Sequence, residues 1–178
     1  KGFKIFLDLK FHDIPNTVKR ACHAASKLGV WMLNVHAMGG NEMLIAAKEG
    51  VDQSNENPYL IAVTILTSMN DANLNEIGIN HSVDEEILKL ALNVATHNLD
   101  GIVCSAGDLK NIKSYLPKDF IYVTPGIRPI VDLNNDQKRT ITPEDAVKEG
   151  SSILVVGRPI TASQNPALAL EEIINKIR

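Results

Sequence analysis

Six short apolar runs, rich in β-branched residues, alternate along this chain with segments that have helical spacing. The runs are Ile5–Phe11, Met32–His36, Leu60–Leu66, Ile102–Cys104, Ile121–Thr124 and Ile153–Val156. Most of them are continuous rather than alternating between apolar and polar residues, which is typical of strands buried on both faces of a parallel sheet. A strand followed by a helix, repeated six times, predicts an α/β fold with a parallel sheet.

The segments between these strands carry apolar stripes that predict helices. Three stripes are clear and are predicted to be core: Val18, Ala21, Cys22, Ala25 and Leu28; Ile87, Leu90, Ala91, Val94 and Ala95; Leu170, Ile173, Ile174 and Ile177. Ser82 precedes Glu85 at the spacing of a helix-capping box, which places the start of the second helix. Weaker helices are predicted over Glu42–Lys48, Leu109–Leu116 and Pro143–Glu149.

Two architectures fit this alternation, an open doubly wound sheet and the (β/α)8 TIM barrel. Six units in 178 residues give roughly 30 residues per unit, so eight units would need about 240, close to the usual barrel size of about 250. Polar, glycine-containing junctions follow nearly every strand, as in barrels, where chemistry lies at the carboxyl ends of the strands. An open sheet would concentrate its function at one switch point instead.

We therefore expect one barrel domain over residues 1–178 that carries about six βα units. The chain ends in a complete amphipathic helix, but position 1 is a lysine at the threshold of a strand. On the barrel arithmetic, the first two βα units, roughly 60 residues, are absent from the N-terminal side. We expect the 178-residue chain by itself to be inactive and poorly folded, because two missing strands would leave open sheet edges.

Composition and charge exclude several classes of function. Lys and Arg number 18 against 21 Asp and Glu, and the net charge of −3 argues against a broad basic face for nucleic acid. The uncharged stretch Pro58–Asn70 is too short to span a membrane, and the charges throughout Lys1–Phe11 argue against a signal peptide. Cys22 and Cys104 are too few for a disulfide framework, which favours a cytoplasmic protein with reduced thiols.

Three charged residues cluster at the end of the first strand. Asp8 and Lys10 are two apart, so both side chains are expected to face the barrel lumen, and Asp13 comes just beyond. The same alternation turns two neighbours outward against the helices: Leu7 and Leu9. Two carboxylates that bracket an amine favour its protonated form and would repel a substrate carboxylate. A lysine can also protonate a carbanion.

The alternative for these charges is a surface salt bridge on a strand end. Their expected burial among apolar residues favours a reactive site.

Two late segments have the composition of phosphate-binding loops. Pro125–Arg128 and Gly157–Ile160 each follow a strand, and each offers backbone amides and a guanidinium. Barrels often bind phosphate at their last two βα loops, and arginine matches the geometry of phosphate. Either segment alone could be a plain turn, but two in these positions indicate a phosphate site.

The polar connection Pro129–Thr142 is longer than most loops in compact domains. One interpretation is a lid in which Gln137 or Arg139 contacts a ligand, and the other is an idle surface excursion. Thr67 and Ser68 could be hydroxyls that bind a base or plain helix caps.

Two histidines lie at the ends of the first two strands. His12 and His36 could hold a metal together with Asp8 or Asp13, but histidines at strand ends are more often hydrogen-bonded residues of the core or rim. We therefore expect no metal.

The run Phe6–Thr17, which reads FLDLKFHDIPNT, resembles the bacterial form of the orotidine 5′-phosphate decarboxylase family. The resemblance continues through Gly29–Met32, Asn34–Ala37, Leu66–Ser68, Val103–Ala106, Val123–Pro129, Asp136–Arg139 and Val156–Thr161. The D-x-K-x-x-D pattern alone would indicate only a superfamily. Together with the two phosphate segments and Leu66–Ser68 it is specific to the family.

The resemblance implies a carboxy-lyase that converts orotidine 5′-phosphate to uridine 5′-phosphate without a cofactor, the last step of de novo pyrimidine (UMP) biosynthesis. Lys10 would protonate C6 of the pyrimidine, and Asp8 would lie beside the scissile carboxylate and hold Lys10. Asp13, with Ile14 and Thr17, would reach the active site of a second subunit, which implies a homodimer.

The resemblance also implies a set of substrate-binding residues. They are Ile14, Pro15, Asn16, Thr17, Thr67, Ser68, Pro125, Arg128, Gln137, Gly157 and Arg158. Ser68 would meet the pyrimidine edge, with Thr67 lining the same pocket, and Gln137 would bridge base and phosphate. The phosphate would be held by Arg158, the Gly157 amide and the segment Pro125–Arg128. The family also has an aspartate on its first strand and a second lysine on its second strand, and neither has a counterpart here.

Two rival functions remain at this point. Sugar-phosphate decarboxylases and aldol-type synthases share D-x-K-x-x-D but use Mg²⁺ to stabilise an enediolate. A protein that binds nucleotide without turnover is the other.

Overall fold

Six parallel strands form one sheet whose order follows the chain. The computed structural model describes residues 2–129 and 140–178. The strands are β1 (Phe6–Phe11), β2 (Met32–His36), β3 (Tyr59–Val63), β4 (Gly101–Val103), β5 (Ile121–Thr124) and β6 (Ile153–Leu154). Each pairs in parallel with the next. In a (β/α)8 barrel, strands that follow one another along the chain are also neighbours in the sheet, as these six are. In a doubly wound sheet, by contrast, the strand order reverses at a switch point.

Helices connect the strands and cover the outer face of the sheet. They are α1 (Pro15–Ser26), α2 (Gly40–Asp52), α3 (Asp71–Glu76), α4 (Val83–Thr96), α5 (Leu109–Ile112), α6 (Pro143–Glu149), α7 (Arg158–Thr161) and α8 (Pro166–Ile177). Short 3-10 turns lie at Ala37–Gly39, Ala106–Asp108 and Lys113–Tyr115. The predicted cap of α4 is confirmed, because Ser82 and Glu85 form a reciprocal capping box. Helices α3 and α7 were not predicted, since each is too short to show a periodic stripe.

The core has two layers, one on each face of the sheet. Leu33 and Val35 of β2 point outward into the larger cluster, which the sheet shares with the helices. Met32 of the same strand points inward, where it packs with Ile61 and Val123 on the lumen side. This alternation explains why the strands read as continuous apolar runs, because both faces are buried.

The predicted helical stripes are mostly buried, with two corrections. Leu28 is 71% exposed because α1 ends at Ser26, so Leu28 lies beyond the helix face that packs on the sheet. Leu170 of α8 is 43% exposed, and Ile173 is the buried member of that helix. Within residues 2–129 and 140–178, no helix has both the length and the apolar character needed to cross a bilayer.

Candidate functional site

A cavity of about 320 Å³ opens at the carboxyl ends of the strands. It is lined by Phe6, Asp8, Lys10, Val63, Ile65, Leu66, Thr67, Ser68, Val103, Cys104, Pro125 and Val155. The topology brings these residues together because the carboxyl ends of parallel strands meet at one edge of a sheet. Most of the lining is apolar, with four polar side chains among the twelve residues, which is the usual make-up of a small-molecule site.

Asp8 and Lys10 form an ion pair at the mouth of this cavity. The Lys10 ammonium lies 2.7 Å from Asp8 Oδ1. The side chain of Asp8 is 50% exposed and that of Lys10 is 41% exposed, so the expectation that these charges are buried is wrong for this chain. The reason is that β1 is the edge strand of the sheet described here, with β2 as its neighbour. An ion pair this exposed contributes little to stability, so its geometry matters more than its energy.

The backbone of β1 is irregular where it carries this pair. Leu7 pairs with Leu33, but Phe11 pairs with Val35, so four steps along β1 match two along β2. Within that stretch Lys10 has φ +52°, in the left-handed region that costs a non-glycine residue about 1–3 kcal/mol. Such strain is concentrated at functional sites.

The irregularity also corrects one prediction. Leu9 was expected to pack outward against the helices as in a regular strand, but its side chain is 56% exposed. Strict alternation fails here because the extra residues in β1 rotate the side chains that follow Leu7.

Asn34 supplies the hydrogen bonds at this irregularity. Its side chain is fully buried, and its Oδ1 accepts the backbone N–H of Lys10 at 2.8 Å. Its Nδ2 donates to Asp8 Oδ1 at 2.7 Å. Sequence reasoning assigned no role to Asn34. The available signal was a polar residue in the middle of β2, a strand that is otherwise apolar up to its last residue.

Two histidines lie beside the ion pair. The rings of His12 and His36 are 5.4 Å apart, and the Nδ1 atom of His36 is buried without a hydrogen-bond partner. Burial lowers the pKa of His36, and electrostatic repulsion from the neighbouring His12 and Lys10 side chains lowers it further. Within the described residues, no group of three His, Cys, Asp or Glu side chains is arranged to hold a metal ion.

The segment Asp13–Thr17 begins α1 directly after β1. Asp13 Oδ1 accepts the backbone N–H of Ile14 at 2.7 Å, and a proline at position 15 starts the helix. Ile14 is 69% exposed, and Asn16 and Thr17 are exposed as well. The segment is therefore largely exposed, and none of its residues lines the cavity of its own chain.

The predicted binding residues on the central strands lie in the cavity. Thr67 and Ser68 follow β3, and Pro125 follows β5; all three line the cavity wall. Thr67 is half-buried and Ser68 is exposed. The structure thus brings the β1 ion pair, two hydroxyls and the start of one predicted phosphate segment to a single site.

The remaining predicted phosphate-binding groups lie outside this lining. Arg128 is 8% exposed and donates to the carbonyl of Ile127 at 2.9 Å, while its backbone N–H donates to Ile141. Gly157 and Arg158 are exposed where α7 begins after β6. Gln137 and Arg139, the predicted ligand contacts of the long connection, lie outside the described residues.

The chain is similar to known proteins in both sequence and structure. The model of the orotidine 5′-phosphate decarboxylase / HUMPS family matches residues 1–173. The orotidine 5′-phosphate decarboxylase of Saccharophagus degradans is 51% identical over 173 residues, covering 97% of this chain and 73% of the relative. The same-named protein of Legionella pneumophila (strain Corby) is 53% identical over 167 residues, covering 93% of this chain and 73% of the relative.

Solved structures give the same result. The crystal structure of orotidine 5′-phosphate decarboxylase from Lactobacillus acidophilus superposes with a TM-score of 0.84 at 40% identity. The match covers 99% of this chain and 76% of that one. The chain thus spans about three quarters of the length of the relatives it matches.

Proposed function

Because the chain belongs to the orotidine 5′-phosphate decarboxylase / HUMPS family, we propose that it catalyses the conversion of orotidine 5′-phosphate to uridine 5′-phosphate. It is a decarboxylase, and the reaction is the last step of UMP biosynthesis. The observation that carries the proposal is the ion pair of Asp8 and Lys10 in a cavity that Thr67 and Ser68 also line.

In the proposed reaction, the bond between C6 and the carboxylate breaks and carbon dioxide leaves. The electron pair that remains on C6 takes a proton from the Lys10 ammonium, which afterwards regains a proton from solvent. Asp8 accepts a hydrogen bond from Lys10 and so holds the ammonium in place. Its negative charge beside the substrate carboxylate also disfavours the ground state more than a transition state that is losing that charge.

The substrate-binding assignments follow the family resemblance. Ser68 contacts the edge of the pyrimidine, and Thr67 lines the same pocket. Arg158, the backbone amide of Gly157 and the segment Pro125–Arg128 hold the phosphate. Gln137 bridges base and phosphate, an assignment that rests on the sequence alone. Phosphate binding at a distance from C6 supplies free energy that offsets the cost of crowding charges at the reacting carbon.

A homodimer is part of the proposal. Asp13, Ile14 and Thr17, together with Pro15 and Asn16, reach the active site of the second subunit. The support is their position, because this exposed helix start presents an apolar isoleucine to the outside. We also propose a single barrel domain and a cytoplasmic location, the latter supported by two buried free cysteines, Cys22 and Cys104.

The test is the loss of ultraviolet absorbance of orotidine 5′-phosphate, measured with EDTA present on the complete gene product. Rapid loss is expected. No loss from a folded protein, combined with Mg²⁺-dependent turnover of a sugar phosphate, would overturn the proposed reaction in favour of enediolate chemistry on the same scaffold. Tight binding of uridine 5′-phosphate without any turnover would instead indicate a nucleotide-binding protein.

A further inference from the structure

The side chain of Asn34 connects the two groups to which the reaction is assigned. It is fully buried, it lies on β2, and both of its hydrogen bonds go to β1. One bond holds the backbone of Lys10 and the other holds the carboxylate of Asp8. A buried amide that spans both partners of an ion pair can set their relative position.

The chemistry of an amide is required at this point. A backbone N–H only donates, so the atom facing Lys10 N must be an oxygen. An ionised carboxylate only accepts, so the atom facing Asp8 must be the NH₂ group. Asparagine offers one acceptor and one donor at the right separation, whereas aspartate offers two acceptors and alanine offers neither.

The backbone of β1 makes this support necessary. Lys10 has φ +52° in a stretch where the strand departs from regular pairing, so its direction is not fixed by the sheet alone. The Oδ1 atom of Asn34 holds that backbone 2.8 Å away. Asp8 Oδ1 in turn accepts both Asn34 Nδ2 and the Lys10 ammonium, which joins the three residues in one network.

We propose that Asn34 is a positioning residue for the decarboxylation, whose side-chain amide aims both Asp8 and Lys10 at the reacting carbon. The inference rests on the proposed function and adds to it a residue that does not touch the substrate. Because a misplacement of about 1 Å can cost roughly 10²-fold in rate, losing the amide lowers kcat without weakening substrate binding to a similar extent.

The test compares Asn34→Asp and Asn34→Ala with the wild-type gene product. The expected result is a fall in kcat of roughly 10²-fold, while the KM for orotidine 5′-phosphate and the Kd for uridine 5′-phosphate stay close to wild type. Thr64→Val is the matched control. Thr64 is also buried, and its hydroxyl donates to Val103 at 2.9 Å, away from the ion pair. This control should keep the wild-type kcat.

A second variant covers the case in which Asn34→Asp is too unstable to assay. In the double variant Asn34→Asp with Asp8→Asn, the carboxylate and the amide change places. The carboxylate at position 34 can then accept from both the Lys10 backbone N–H and the amide at position 8, so the Tm should recover toward that of Asp8→Asn alone. A Tm that does not recover would overturn the proposed contact.

The failures are distinguishable. If the wild type decarboxylates, Lys10→Ala is impaired and the Asn34 variants keep wild-type kcat, the positioning role is overturned and the proposed function stands. A parallel loss of kcat and of uridine 5′-phosphate affinity would also overturn it, because that pattern indicates general damage to the site. A wild-type protein without decarboxylase activity overturns both.

Discussion

The two ends of the sheet differ in how firmly the structure holds their functional groups. At the β1–β2 end, α2 buries six residues against the sheet and α1, and a fully buried side chain, Asn34, ties Asp8 to Lys10. At the β6 end, α8 buries Ile173 and α7 buries no residue, while Gly157 and Arg158 are exposed.

This contrast matches the roles assigned to the two ends. A proton donor must be held within a fraction of an ångström of the reacting carbon, which requires a rigid support. A phosphate group far from C6 is bound by charge-assisted hydrogen bonds, whose loss weakens binding and leaves the proton donor in place. We therefore expect changes at the β1 end to act on kcat and changes at the β6 end to act on affinity.

The largest expected effect is that of Asp8→Asn. The amide cannot form the ion pair with Lys10 or repel the substrate carboxylate, so kcat should fall by roughly 10²- to 10⁴-fold. Steady-state kinetics with orotidine 5′-phosphate measure this. The control is Asp119→Asn, an exposed aspartate just before β5 at the opposite end of the strands. Equal losses in the two variants would contradict a specific role for Asp8.

The packing contrast predicts a difference in stability. Leu33→Ala removes a fully buried side chain from β2 and should lower the free energy of unfolding by about 2–5 kcal/mol. Leu170→Ala, on the half-exposed side of α8, should cost less than about 1 kcal/mol. Urea unfolding of both variants checks this, and similar losses would show that the two ends are equally well packed.

Arg158→Ala tests the phosphate end of the molecule. Losing a charge-assisted contact should weaken uridine 5′-phosphate binding by about 1.5–3 kcal/mol, while binding of uridine, which has no phosphate, should not change. Calorimetry with both ligands separates the two effects, with Arg178→Ala as the exposed control. An unchanged affinity for uridine 5′-phosphate would remove Arg158 from the phosphate site.

The smallest effect concerns pH. The pKa of His36 is lowered in the folded protein, chiefly by burial, from an ordinary value of 6.5. Below that pH the unfolded chain takes up a proton at this position that the folded state resists, so stability falls as the pH drops. The free energy of unfolding, measured by urea denaturation at pH 7 and at pH 5, should therefore fall less for His36→Gln than for the wild type. His81→Gln, which removes an exposed histidine, should follow the wild type.

Much of this fold could be predicted because local and long-range signals agree. The bounds of β2, β5 and α6 match the predicted ranges residue for residue. In α6 a threonine cap, a proline at the first turn and the left-handed Gly150 mark both ends. The cavity was also predictable in outline, since Asp8, Lys10, Thr67, Ser68 and Pro125 all line it.

The fine geometry of the site could not be predicted. The prediction from strand alternation assumes a regular backbone, and no residue around Lys10 indicates that its φ is left-handed. The role of Asn34 depends on the register between β1 and β2, which is a property of the folded sheet. Side-chain exposure at the strand ends depends on what packs beside β1, so the predicted burial of Asp8 and Lys10 was wrong.

The measurement that tests the central assignment most directly is the kinetics and product affinity of Lys10→Ala in the complete gene product. The account predicts that kcat falls by roughly 10²- to 10⁴-fold, while the Kd for uridine 5′-phosphate stays near the wild-type value. Lys148→Ala, which removes an exposed lysine on α6, should change neither quantity. Normal turnover by Lys10→Ala would contradict the assignment of Lys10 as the proton donor.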